Sequence, residues 1–285
     1  MIELGENLYG KSRVRLVRLK RDRGRHHLRE WNVDVMLQGD FESCFKDGDN
    51  GKILPTDTIK NTVYSLARKS SAESMEAFAR ELVDFLLNRN PQVSQAEAAI
   101  SEKAWERVVM GGEAHPTTFV QSTGERQTAK VAGERNGGFS VVSGLENLIV
   151  MKTAESGFEG YIQDSLTTLQ PTADRLLGTA LSASWNYKSA EADFNKLRMK
   201  VREILLGVFA GHHSNSVQHT LYAMGEGVLK DVAEVSEIGL TMPNIHCLLV
   251  DLSRFGQDNP NEIFVPIDEP HGTIEARLRR QERSE

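Results

Sequence analysis

Cysteine is nearly absent: Cys44 and Cys247 are the only two in 285 residues, and no C-x-x-C spacing occurs. That excludes a disulfide framework and a cysteine-based zinc site, and makes a reducing compartment the default. No uninterrupted run of about 18 apolar residues is present, so no membrane-spanning helix is expected. The first residues, M-I-E-L-G-E-N-L-Y-G-K, lack the apolar core of a signal peptide. The expectation is a cytoplasmic protein with no membrane partner. H-E-x-x-H, a P-loop, G-x-G-x-x-G after a strand and a nucleophile elbow are all missing. His26-His27 and His212-His213 are adjacent pairs whose side chains diverge in regular structure; they make poor metal ligands and are expected in loops or at helix ends. D-G-D-N-G at 47–51 is spaced like a calcium loop, but Gly51 stands where a third ligand belongs and no Glu closes the loop. It reads as a turn. Neither a metal nor a cofactor is called for.

Charged residues make up 26% and the net charge is -6, a mildly acidic balance without a global nucleic-acid footprint. The densest basic run, Lys11 to Arg29, lacks the interleaved aromatics of a nucleic-acid surface. It reads instead as a charged hairpin. Lys11 to Lys20 is a strand whose alternation slips at Val17, predicting a bulge or a change of buried face there. Trp31, Val33, Val35 and Leu37 then alternate with Asn32, Asp34, Met36 and Gln38.

A helix begins after Pro55, which biases Leu54 away from helical dihedrals; Thr56 or Asp57 is expected to cap the first turn. Ile59, Val63 and Leu66 form its apolar stripe. Met75, Phe78, Leu82 and Phe85 mark a second helix, ended by Asn90-Pro91. Strands around 98–109 and 118–131 follow, closing on the turn E-R-N-G-G at 134–138.

The same order then returns. Strands are expected over 139–152 and 175–187, and two helices on Phe194, Leu197, Val201, Ile204, Val208 and on Leu221, Met224, Val228. Strands over 237–251 and 263–280 complete the second half. Each half reads strand-strand-helix-helix-strand-strand, an internal duplication. The apolar stripes place the helices on one face of an antiparallel sheet, an α+β fold.

Six stretches, in the same order along nearly the whole chain, resemble the urate oxidase (uricase) family. They are Y-G-K-S-R-V-R-L-V-R-L, P-T-D-T-I-K-N-T-V-Y, S-G-F-E-G-Y-I-Q-D, T-T-L-Q-P-T-A-D-R, S-V-Q-H-T-L-Y-A-M-G, and P-N-I-H-C-L-L-V-D-L with F-G-Q-D-N-P-N-E-I-F. The resemblance implies two tandem T-fold domains, 1–137 and 138–285, with subunits assembling into a tunnel-forming barrel. It implies a homotetramer whose active sites are shared between subunits. It further implies cofactor-free oxidation of urate by O2 to 5-hydroxyisourate and hydrogen peroxide. Lys11, Thr56 and His246 match the family's catalytic residues. Asp57, Phe158, Leu169, Arg175, Val217, Gln218, Asn244 and Ile274 match its substrate-binding positions. Leu166, Pro171, Ile245 and Thr273 depart from the family pattern. Two other readings stay open: another T-fold enzyme acting on a purine or pterin, and a non-catalytic tunnel-forming or nucleic-acid-binding protein using residues 11–29.

Overall fold

The structure, a computed structural model, describes residues 2–281 apart from Asp268. The chain forms two compact units, Met1–Leu145 with Asn186–Lys196, and Glu146–Trp185 with Leu197–Glu285.

In the first unit β1 (Tyr9–Asp22), β2 (Arg25–Gly39), β3 (Val93–Met110) and β4 (Glu113–Glu134) pair antiparallel in that order. Arg23 and Gly24, both at positive φ, make the two-residue turn of the first hairpin, which suits the right-handed twist of its strands. Two helices, α2 (Thr56–Lys69) and α3 (Met75–Arg89), cover one face. Trp31, Val33, Val35 and Leu37 of β2, with Ala96, Ala98 and Ile100 of β3, point inward against Ile59, Val63, Phe78 and Leu82. Trp31 stacks on Phe78 at 5.2 Å and 26°. Its indole N–H donates to Glu102 at 3.1 Å, so the one polar atom of the ring is satisfied.

The second unit uses the same device. There β7 (Val235–Leu249) pairs with β9 (Thr273–Arg279) along its first half and with β8 (Phe264–Ile267) along its second. The strands β5 (Phe139–Lys152) and β6 (Leu177–Tyr187) and the helix α4 (Phe194–Gly211) each have residues in both units, while α5 (Val217–Asp231) lies wholly in the second and buries Leu221, Met224 and Val228. Serine caps open α3 and α5 at matching positions: Ser74 accepts from the Ala77 amide and Ser216 from the His219 amide, each at 3.1 Å. At the other end of these helices one arginine per unit staples the orphaned carbonyls. Arg135 donates to Leu87, Asn90 and Val93, and Arg280 to Leu229, Val232 and Val235. The duplication therefore extends to how each helix end is satisfied.

Several expectations are corrected. A short helix, α1 (Glu42–Asp47), precedes the D-G-D-N-G turn; six residues with none of them buried leave no periodic stripe to read. The strand expected over 263–280 is two strands. His26 and His27 lie within β2, paired with Arg21 and Lys20, rather than in a loop. The bulge of β1 falls between Lys11 and Val14, not at Val17. In α4 the fully buried stripe is Val201, Leu205 and Phe209, one position round from Ile204 and Val208.

Candidate functional site

Two groups of candidate residues are each assembled within one unit. In the first, Lys11 stands where β1 is distorted on purpose. The bulge puts Ser12 and Arg13 out of register, Arg13 takes φ 59°, and its amide donates to Asp34 Oδ1 at 2.5 Å. A bulge of this kind re-aims the side chain beside it. On the other flank of Lys11, Gly10 is pressed against β2: a Cβ there would lie 1.8 Å from the Val35 carbonyl oxygen. Lys11 is thus held between a close backbone approach and a bulge. Gly10→Ala is expected to force the strands apart at Lys11 and lower stability by about 1–3 kcal/mol, read from urea denaturation midpoints; an unchanged midpoint would contradict the constraint.

The start of α2 is brought to the same place. Tyr9, two residues before Lys11, accepts the Leu54 amide on its hydroxyl at 2.9 Å, and Tyr9 packs edge-on to Phe41 at 4.8 Å. This pins the loop before the helix onto β1. Pro55 is the N-cap and no side chain caps the end, which corrects the expectation for Thr56 and Asp57. Because Ile59 makes the first helical hydrogen bond, to Pro55, the amides of the first turn face outward. Asp57 turns to Lys60 and, at 3.0 Å, to Asn61. The hydrogen bond and charge of Lys60, then Asn61 and the charge of Lys11, hold the Asp57 carboxyl below the usual carboxylate range. Thr56 is exposed at the helix tip. Lys11, Thr56 and Asp57 thus share one end of the unit.

In the second unit Phe158 and Arg175 are neighbours. Phe158 exchanges backbone hydrogen bonds with Thr172, at 2.7 and 3.2 Å, and the Arg175 amide donates to Ser156 at 2.7 Å. The Arg175 guanidinium carbon lies 5.2 Å from the Phe158 ring centroid. Arg175 is half-buried, and burial pushes its pKa down, yet a guanidinium keeps its charge at neutral pH. Its buried Nε has no acceptor among the described residues. A cationic N–H left without an acceptor is costly unless a ligand supplies one. The chain that carries Gln218 is tied to the same loop: the Ser214 carbonyl accepts from the Gly157 amide at 2.8 Å, and Ser216 then caps α5. Val217 is buried in the first turn of α5 while Gln218 is exposed beside it. Leu169 is 54% exposed on the loop that follows Phe158.

Asn244 and His246 sit on one side of β7, with the Asn244 carboxamide nitrogen 3.4 Å from His246 Nδ1. Ile274 of β9 pairs with Met242 of β7, and the Asn244 backbone amide donates to the Gly272 carbonyl at 2.8 Å, just before β9. Ile245 packs against Gly178, filling the side of β7 opposite Asn244. Among the described residues no cluster of three or more His, Cys, Asp or Glu is placed to hold a metal, and no helix is long and apolar enough to cross a membrane. Three features had no part in the sequence reading: the Asp34 anchor of the bulge, the Tyr9 clamp, and Tyr161, which stacks on Phe158. Only the last left a trace, in the F-E-G-Y spacing.

A protein-family sequence model described as Uricase matches residues 7–132 and 141–275. A uricase of Arthrobacter globiformis is 40% identical over 282 residues, spanning 98% of this chain and 91% of that protein. A uricase of Arabidopsis thaliana is 40% identical over 294 residues, spanning 95% and 94%. The crystal structure of the Arthrobacter globiformis uricase superposes with a TM-score of 0.94 at 39% identity, over 100% of this chain and 98% of that one.

Proposed function

This chain belongs to the uricase family, and from that premise we propose that it oxidises urate with O2 and water to 5-hydroxyisourate and hydrogen peroxide. The observation that carries the reading is Arg175: a half-buried guanidinium with an unanswered Nε–H beside an aromatic ring. That combination fits a flat, anionic, hydrogen-bonding ligand. Gln218 supplies a carboxamide that can donate and accept in the same plane, and Leu169, Val217, Asn244 and Ile274 line the remainder.

Urate is electron-rich enough to give two electrons to O2 once its ring protons are removed, so the protein's task is proton transfer and orientation. In the relay, the Thr56 hydroxyl takes a proton from urate as it passes its own to the Lys11 amine. His246 completes the path, while Asp57 contacts the substrate. The bulge, Gly10 and the Tyr9 clamp support this assignment, since they hold Lys11 and the tip of α2 in one fixed arrangement.

Residues 1–137 and 138–285 are the two T-fold halves in this reading, and the matched serine caps and arginine staples favour a duplication. The protein acts in the cytoplasm in purine breakdown, as a homotetramer in which the Lys11 and Thr56 end of one subunit works on urate gripped by Arg175 and Gln218 of its neighbour. The charges of residues 11–29 have internal work: Arg15 pairs with Glu30, Arg29 with Glu102, and Arg18 donates to the Ala72 and Ser70 carbonyls. This favours a structural role over nucleic-acid binding.

Subunit mixing tests the proposal. Wild-type protein is expected to consume urate in air, Lys11→Met and Arg175→Ala homotetramers to be nearly inactive, and tetramers reassembled from both variants to regain part of the activity. Mixed tetramers without recovery would overturn site sharing. Wild-type protein that leaves urate untouched would overturn the function itself.

A further inference from the structure

Tyr161 has no role in the relay or among the urate contacts assigned above, yet it touches Phe158 and Leu169, two residues of the proposed urate-binding loop. Gly160, at φ 72°, reverses the chain just after Phe158. The left-handed region suits glycine because it has no Cβ. The turn lays the Tyr161 ring on Phe158, with centroids 4.9 Å apart and planes within 12°. The Tyr161 hydroxyl then donates to the Leu169 carbonyl at 2.6 Å across the loop. The loop is closed at its base by the Phe158 and Thr172 backbone pair, and stiffened further out by Asp164, which accepts from the Leu166 amide at 2.8 Å. One side chain therefore couples the plane of Phe158 to the position of Leu169.

We propose that Tyr161 is a positioning residue for urate: its ring holds Phe158 in the plane that stacks on the substrate, and its hydroxyl keeps Tyr161 itself in place. The inference rests on the reading of Phe158 as the urate-stacking aromatic. Without Tyr161, Phe158 would lose a neighbour on its ring and sample other rotamers, so that binding urate would first have to select the correct one. The effect belongs to binding, because Tyr161 acts through the plane of Phe158 and the position of Leu169.

The test is a double-mutant cycle in the intact protein, read as KM and kcat for urate. Tyr161→Leu is expected to raise KM about three- to tenfold, the range an aromatic pair contributes, with kcat within about twofold. Tyr161→Phe, which keeps the ring and loses the anchor to the Leu169 carbonyl, is expected to raise KM by less than Tyr161→Leu does, with kcat within about twofold of wild type. Phe158→Leu is expected to raise KM, and Tyr161→Leu added to it to change nothing more. If Phe158→Leu raises KM and Tyr161→Leu does not, the positioning role is wrong. If the two effects multiply, Tyr161 acts independently of Phe158 and the proposal is again overturned. If Phe158→Leu leaves KM unchanged, the stacking reading fails instead. Should Tyr161→Leu not fold, Tyr161→Met, which conserves bulk without a ring, carries the same expectations.

Discussion

Lys11→Met is expected to keep urate binding and to lose turnover by a factor of about 10² to 10⁴, the contribution of a positioned acid or base. Methionine keeps the length of the side chain and removes its amine, so it subtracts chemistry with little change in packing. Lys11 sits between Gly10, which brings β1 against Val35, and a bulge anchored by Asp34. Neither constraint depends on the amine, and the local backbone should survive the substitution. Thr56→Ala removes the other half of the relay from an exposed helix tip and is expected to cost a comparable factor. Because the two residues pass one proton, the double variant should be little worse than either single one. Anaerobic urate binding followed by difference absorbance, beside aerobic kcat, separates the two effects. Near-normal turnover in both single variants would remove the relay.

Arg175→Ala is the second large effect, and its signature is the opposite one. The guanidinium is half-buried, its pKa is lowered by burial, and its Nε–H finds no acceptor among the described residues. Charge-assisted hydrogen bonds contribute roughly 1.5–3 kcal/mol each, so losing a bidentate contact to anionic urate should raise KM by at least about 100-fold. Arg175→Lys should rescue little of this, because an ammonium cannot reproduce the planar fork. The unliganded variant should lose little stability, about 1 kcal/mol or less, since the deleted Nε–H has no internal partner and the contact with the Phe158 ring is the main one given up. An Arg175→Ala protein with unchanged KM, or one markedly less stable to urea, would mean that the arginine serves the fold.

Much of this was legible in the sequence because the signals were local. The alternation of Trp31, Val33, Val35 and Leu37 and the stripes of α2, α3 and α5 are direct consequences of burying one face of each element, and the structure buries those residues except Leu66 and Phe85, which lie at the edges of their stripes and are half-buried. The duplicated order followed from the same periodicities. What escaped was set by contacts distant in the chain. The bulge is fixed by Asp34, 21 residues beyond Arg13, whereas alternation alone pointed to a bulge or a change of buried face at Val17. The α2 end seemed to need a side-chain cap, but Asp57 is drawn away by Lys60 and Asn61. Two arginine staples, Arg135 and Arg280, reach helix ends more than 40 residues earlier in the chain, a distance no spacing rule covers. The candidate residues themselves were named by resemblance, since Phe158, Arg175 and Gln218 taken singly look like ordinary surface positions. Their physical case comes from the orphaned Nε and the adjoining ring.

The most direct measurement is aerobic turnover of urate by protein stripped of metal with a chelator, following the near-ultraviolet absorbance of urate and hydrogen peroxide together. One peroxide should appear for each urate lost, at a rate that added metal ions do not change and that Lys11→Met nearly abolishes. Urate left intact, or consumed only after a metal is restored, would contradict the account.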